Sequence, residues 1–303
     1  MQIFGFTSHG GPEVTSLLDA PEPAPGPGQV LVEMLATTVN PGDLSTREGT
    51  NDFAVTFPMA MGREAAGRVL ALGGDVDHVA AGDLVFGSAA AGHGSFGEQM
   101  LLDAASTTPI PDGLDILAAA CIPVAYGTAW DVLDHLDLSR GQTLVVIGAG
   151  GGVGTAITSL ARARGVQIVG VASAGKKDIV TGLGGVHVES GPGWTGRVRE
   201  AAERPDALFD LVGGEVLVEG MTLVENLDRV ISVADPQRVG KAGGGGVTRR
   251  RTREVYGEVA RLLAAGEAEA TISHVHPLAD AASAVALVEN GHVQGKVVVT
   301  GGR

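Results

Sequence analysis

The sequence predicts an α/β chain in two parts: a compact, barrel-like β domain and then a doubly wound parallel sheet. Three observations predict it. Residues 143–165, TLVVIGAGGGVGTAITSLARARG, set a short apolar run, a turn of small residues and a helix pattern in succession. From about residue 116 onward strand and helix patterns alternate, as in a parallel sheet. Ahead of that point, short strands lie between Gly- and Pro-rich turns at the spacing of a small barrel.

The elements follow in order. Gln29–Ala36 is a strand candidate behind the Pro/Gly-rich stretch 21–28, and 67–73, 83–87 and 96–102 are further strands between turns. Residues 117–136 read as mainly helical, with a break near Pro123, whose ring and missing N–H interrupt a helix. Strands are expected at 143–147, 167–172, 207–212 and 229–233, with a weaker one at His187-Val188. Helices are expected between them at 153–163, 176–182, 195–203 and 215–226. Val255, Val259, Leu262 and Leu263 share one face of a helix over 254–265. The tail returns to strand, helix and strand at 271–275, 278–290 and 296–300.

Strand, Gly-rich turn and helix in that order form a phosphate-binding corner. Residues without Cβ let the backbone close around a pyrophosphate, and the helix N-terminus offers unpaired N–H groups and partial positive charge. A structural turn is the alternative, since the chain has 47 glycines. About 20 residues past the turn an NAD enzyme places an acid on the ribose hydroxyls. The second strand ends instead in Val171-Ala172-Ser173-Ala174-Gly175-Lys176-Lys177, with no acid. A hydroxyl and two cations suit a 2′-phosphate, which favours NADP; the alternative is that two lysines open a solvated helix.

Composition bounds the function classes. The 303 residues carry a net charge of −14, which argues against nucleic acid or an anionic membrane as partner. Aromatic residues make up only 4%, so Val, Ala, Leu and Ile must fill the cores. Cys121 is the single cysteine, so neither an internal disulfide nor a cysteine-based zinc site can form, and its apolar neighbours predict an inert buried thiol. No signal-like N-terminus or spanning apolar run is evident, so a cytoplasmic location is expected.

GGPEV at 10–14, PGPGQVLVEM at 25–34, VNPGD at 39–43, MGREAAGRVLALG at 61–73, GSFGEQ at 94–99 and IPDGL at 110–114 occur in order. YGTAW at 126–130, AGGGVG at 149–154, FDLVGG at 209–214 and GKVVV at 295–299 complete the set. With these motifs the chain resembles the zinc-free quinone oxidoreductase branch of the medium-chain dehydrogenase/reductase superfamily, nearly end to end. The resemblance implies a GroES-like β-barrel substrate domain at 1–116, completed by 266–303, and a Rossmann NADP-binding domain at 117–265, with the reaction site in the cleft between them. It implies cofactor contacts from Thr128, Gly151, Gly152, Val153, Gly154, Ser173, Lys176, Lys177 and Val212. Asn40 and Asp43 are placed near the reaction, and Tyr126 is expected either to donate a hydrogen bond there or to pack a helix start.

The expected activity is zinc-free hydride transfer from NADPH to a quinone or α,β-unsaturated carbonyl, whose β-carbon or ring accepts hydride without a metal. Zinc-dependent relatives carry Gly-His-Glu where this chain has Gly62-Arg63-Glu64, and arginine cannot ligate a cation. Glu64 reads as structural, and His274 and His276 as ordinary strand residues. Two departures stand out. Ser45 holds a position where relatives often have tyrosine, and Lys241–Val247 with Arg249, Arg250, Arg251 and Arg253 replaces an apolar strand that often pairs subunits. The basic segment is expected to be a flexible, solvated loop, because the net charge of −14 disfavours a basic arm for nucleic acid, with contact to a substrate or cofactor phosphate as a further alternative. These departures motivate a second function, an NADPH-binding sensor or partner protein without turnover. The expected partners are a small-molecule substrate and, as an option, a second copy of the chain.

Overall fold

The structure is a computed structural model that describes residues 1–291 and 293–301. The chain forms two compact units. One comprises Met1–Val124, Arg251–Ala265 and the chain from Ile272 onward; the other comprises Ala125–Arg250 and Gly266–Thr271.

The first unit is built on strands β1 (Gln2–Phe6), β2 (Thr15–Asp19) and β3 (Gln29–Thr38), then helix α1 (Pro41–Glu48), then β4 (Met59–Ala60), β5 (Glu64–Leu72), β6 (Leu84–Ser88), β7 (Gln99–Asp103) and β8 (Thr108–Pro109), and helix α2 (Ile116–Ala120). Alternation of buried and exposed residues along β3 gives it one core face at Val30, Val32, Met34 and Ala36. Helix α1 lies outside the sequence expectation. Its signal is nonetheless local: Asn40 at the N-cap, Pro41 at the first turn and Asp43 at the third position make a capping box, and Gly49 closes the helix with a left-handed φ of 72°.

The second unit runs α3 (Gly127–Leu136), β9 (Thr143–Ile147), α4 (Gly152–Arg164), β10 (Gln167–Ala172), α5 (Lys177–Gly182), β11 (Val186–Glu189), α6 (Trp194–Ala201), β12 (Ala207–Asp210), α7 (Gly214–Met221), β13 (Val230–Ser232) and α8 (Pro236–Lys241). The strands are ordered β11-β10-β9-β12-β13 and all pair in parallel, as expected of a doubly wound sheet. β9 is buried along its whole length. The core around it is Val- and Leu-rich, with Trp194 as a large aromatic. The break expected near Pro123 is a π-helical segment, Ile122–Tyr126, between α2 and α3.

The chain then adds α9 (Arg253–Ala264), β14 (Ile272–Pro277), α10 (Ala281–Glu289) and β15 (Lys296–Thr300). β15 pairs antiparallel with the end of β3 and parallel with β14, so the last strand completes the first unit's sheet, ordered β14-β15-β3-β5-β6-β8 with β7 on β3. The two units differ from the sequence division at both seams. Residues 251–265 group with the first unit because Tyr256 on α9 packs against Phe86, with ring centroids 6.2 Å apart, and its hydroxyl meets Ser88 Oγ at 2.9 Å. Residues 266–271 group with the second: the Glu269 N–H donates to Ser159 Oγ at 2.8 Å.

The basic segment is corrected. Arg249 donates to Asp131 Oδ2 at 3.0 Å and to Thr128 Oγ1, and Arg250 pairs with Asp131 Oδ1 at 2.9 Å and Asp134 Oδ2 at 2.6 Å. Two arginines on a carboxylate only 1% exposed fix this stretch to α3 rather than leaving it a solvated loop. The glycine run also has a place. The Gly245 N–H donates to Val230 O, and its carbonyl accepts from Ser232 N, so one residue bridges in parallel to β13. A Cβ on Gly244 would lie 2.4 Å from the Val230 carbonyl oxygen, which explains glycine there.

Candidate functional site

In the second unit the C-terminal ends of β9, β10 and β12 meet where the strand order reverses, the place such sheets bind ligands. The turn after β9 is shaped by close contacts. Gly148 holds φ 88°, and a Cβ on Gly154 would fall 2.3 Å from the Gly148 carbonyl oxygen. Gly154 therefore lets α4 begin hard against the turn. Gly151 is the N-cap of α4 without a side-chain cap, so the first amides of this 13-residue helix meet no capping side chain. Gly151, Gly152 and Val153 are half-exposed and Gly154 is buried.

At the end of β10, Ala172 is buried and Ser173 exposed. Lys176 lies over the turn: a Cβ on Gly150 would fall 2.3 Å from Lys176 Cδ. Partial burial lowers the Lys176 ammonium's pKa below its usual range, an environment that gains from an added anion. Lys177 is exposed at the start of α5. After β12, Asp210 is fully buried and its carboxylate accepts from the amides of Val212 and Gly213, which holds the loop and leaves Val212 57% exposed. Thr128 is buried, its hydroxyl accepting from Arg249. The structure thus brings the 151–154 turn and Lys176 together and sets Val212 at the end of a neighbouring strand.

In the first unit a buried polar cluster surrounds Glu64. Its Oε1 accepts from Thr38 Oγ1, from Asn40 Nδ2 at 2.9 Å and from Lys296 Nζ at 3.1 Å, and its Oε2 accepts from the Val124 amide at 2.7 Å. Glu64 is thus fully buried with four donors around its carboxylate. Lys296, brought in by the pairing of β15 with β3, also donates to Asn40 Oδ1 at 2.6 Å. Nothing in the sequence points to Lys296 beyond its place in GKVVV.

Both expected donors, Asn40 and Tyr126, have partners inside the protein. The Asn40 amide donates to Glu64 and, at 3.3 Å, to Thr38 O, while its oxygen accepts from Lys296, so its polar atoms are engaged within the cluster. Tyr126 is 1% exposed, stands at the start of α3, and its hydroxyl donates to the Glu269 carbonyl at 2.6 Å. Asp43 accepts from the Asn40 amide at 2.8 Å and sits 3.7 Å from Arg63 Nε. Burial pushes its carboxyl up to about 7, against the pull of Arg63 and the Asn40 N–H. Ser45 Oγ donates to the Pro41 carbonyl at 3.4 Å.

Metal donors are sparse. Among the described residues no three His, Cys, Asp or Glu side chains are grouped to hold an ion. His274 and His276 lie on β14 with rings stacked at 6.3 Å, and His276 pairs with Asp280. Cys121 is buried, and desolvation pushes its thiol up to about 12, an inert state. No helix among the described residues is long and apolar enough to cross a membrane.

Comparison with known proteins places this geometry. Residues 26–112 match the family model of the alcohol dehydrogenase GroES-like domain, and 192–299 match that of the zinc-binding dehydrogenases. A quinone oxidoreductase of Rattus norvegicus is 31% identical over 77% of this chain and 72% of its own length. Erythronolide synthase EryA2 of Saccharopolyspora erythraea is 31% identical over 92% of this chain, which spans only 8% of that protein. Among solved structures, a quinone oxidoreductase from Coxiella burnetii superimposes at TM-score 0.90 with 26% identity, covering 99% of both chains. A mycobacterial protein complexed with NADPH gives 0.86 and 27%, over 99% of this chain and 100% of that one. An NAD-dependent alcohol dehydrogenase gives 0.88 and 26%, over 100% of both.

Proposed function

The chain belongs to the quinone oxidoreductase branch of the medium-chain dehydrogenase/reductase superfamily, and from that premise we propose that it is an NADPH-dependent reductase of quinones or α,β-unsaturated carbonyls that works without zinc. The observation that carries the cofactor choice is Lys176 folded over Gly150 at the end of a strand that carries no acid. Amides at the start of α4 would hold the pyrophosphate, and Lys176, with Ser173 and Lys177, would hold the 2′-phosphate. Thr128 and Val212 line the remainder of the cofactor site. When bound, the nicotinamide supplies a hydride. An acceptor would take it at its β-carbon or ring, with negative charge moving to the acceptor's oxygen and solvent supplying the proton.

Asn40, Glu64 and Lys296 act as positioning residues: their closed hydrogen bonds keep the polar cluster rigid and dry. Asp43 holds the start of α1 and bears on Arg63. The zinc-free reading stands on donor chemistry: Arg63 is a permanent cation where zinc-dependent relatives have histidine. The relatives named as oxidoreductases favour a reductase over a sensor. Purified protein should oxidise NADPH when offered a panel of quinones and enones, followed by loss of NADPH absorbance. Tight NADPH binding with no turnover across that panel would replace this reading with the sensor.

A further inference from the structure

The loops that follow β12 and β13 are tied together by one buried carboxylate. Asp210 ends β12 and Ser232 ends β13; the two are register partners and both are fully buried. Asp210 Oδ1 accepts from the Val212 amide at 3.0 Å, and the Gly213 amide is shared between Oδ1 and Oδ2 at 3.0 Å each. The Ser232 hydroxyl donates to Asp210 Oδ2 at 2.6 Å and accepts from the Asp235 amide at 2.8 Å. The Asp210 carbonyl also accepts from the Val233 amide, at 3.1 Å. A carboxylate taken out of water is costly unless donors replace its hydration. Here the donors come from two different loops, so satisfying the charge fixes both loops at once.

Both loops border the turn between β9 and α4. A Cβ on Gly148 would lie 3.2 Å from Val212 Cγ2, so Val212 rests against the turn while 57% of it stays exposed. Gly213 has a φ of 76°, and a Cβ there would lie 3.4 Å from the Cβ atoms of Ala234 and Asp235, so the two loops touch. All of these residues belong to the second unit. In the order β11-β10-β9-β12-β13, Lys176 follows β10 on one side of the turn and Val212 follows β12 on the other. A dinucleotide with its 2′-phosphate at Lys176 and its pyrophosphate at the turn must run on toward β12 and β13. Beyond the pyrophosphate that half carries no phosphate, so preformed loop shape has to do what charge does at the other end.

We propose that Asp210 and Ser232 are positioning residues for the nicotinamide half of the cofactor: they hold the loops at 211–213 and 233–235 in the one arrangement against which that half is laid. They act without touching it, since neither side chain reaches the surface. The inference rests on the NADPH reading of this site, but the link between the loops can be measured in the free protein.

Two measurements test it. Equilibrium titration compares NADPH with adenosine 2′,5′-bisphosphate, which carries the adenosine end alone. Asp210→Asn should weaken NADPH by about tenfold or more, and Ser232→Ala by about threefold or more, while both variants keep wild-type affinity for the bisphosphate. A general folding defect weakens both ligands alike, so equal losses overturn the proposal, as does unchanged NADPH affinity in both variants. If Asp210→Asn does not fold, the contrast in Ser232→Ala, the milder change, decides. Hydrogen exchange in the free protein reads the link without any ligand: the Asp235 amide should exchange about tenfold faster or more in Ser232→Ala than in wild type. Unchanged protection of that amide overturns the link between the loops. Wild type that binds neither NADPH nor the bisphosphate overturns the cofactor reading and this assignment with it. Wild type that binds both, with equal losses in the variants, overturns the assignment alone.

Discussion

At the residue scale, the buried Glu64–Lys296 pair has the largest stake. Both side chains are at most 4% exposed, and the pair survives burial because hydrogen bonds from Thr38, Asn40 and Val124 meet the remaining lone pairs. Lys296→Met removes one charge and leaves the other uncompensated. We expect it to cost about 3–5 kcal/mol in chemical denaturation, with the Glu64→Gln, Lys296→Met double variant recovering part of the loss. Equal stability of the two variants would contradict this account.

Asp43 gives a pH signature. Its carboxyl is raised from an ordinary value of 3.8 to about 7, chiefly by burial. Between those values the folded state keeps a proton that the unfolded state has released. The sign of the linkage is therefore negative: stability falls as pH rises through this window and levels off above it. Asp43→Asn removes the contribution, so its melting temperature relative to wild type should climb from pH 4 to pH 7. A difference that is flat across this range would mean Asp43 titrates normally.

At the element scale, the turn between β9 and α4 decides cofactor binding. Gly154→Ala places a methyl 2.3 Å from the Gly148 carbonyl, a backbone atom that cannot swing away. It should displace the start of α4, lowering both melting temperature and NADPH affinity. At the end of β10, replacing Lys176 and Lys177 with glutamine should weaken NADPH by about tenfold or more relative to NADH, since charge-assisted contacts to the phosphate are worth roughly 1.5–3 kcal/mol. Equal losses for the two cofactors, measured by fluorescence titration, would remove the 2′-phosphate reading.

Elements whose signal is local were legible in the sequence. β9, β10 and β15 fall where apolar runs and turns put them, because a strand buried on both faces has to be continuously apolar. Helix α1 was legible in principle through its capping box, but apolar periodicity does not reveal a helix with so polar a face. The polar cluster could not be read. Lys296 and Glu64 lie 232 residues apart and Arg249 and Asp131 lie 118 apart, and single-sequence patterns carry no pairing information over such spans. The same limit hides the partners of Asn40 and Tyr126, since Lys296 and Glu269 come from the far end of the chain.

At the scale of the whole molecule, the expectation concerns metal. Arg63 repels a dication at close range, and desolvation keeps the Cys121 thiol protonated at neutral pH. Dialysis against a strong chelator should leave turnover unchanged, and elemental analysis should find no stoichiometric zinc. Chelator-sensitive activity restored by zinc would overturn the zinc-free mechanism and direct attention to the histidines.

The place of β15 beside β3 also sets a timetable. Val39 and Lys296, brought together in that pairing, are 257 residues apart. At about 5–20 residues per second, a ribosome needs roughly 13–50 s to span that gap. Throughout that interval the end of β3 is an unpaired edge, and Glu64 and Asn40 lack their ammonium. The five-strand parallel sheet, complete by Ser232, has all its pairings available well before then. The nascent chain can therefore complete its middle sheet while the end of β3 still presents an open edge. Until β15 emerges, that edge is the part of the molecule most in need of a chaperone.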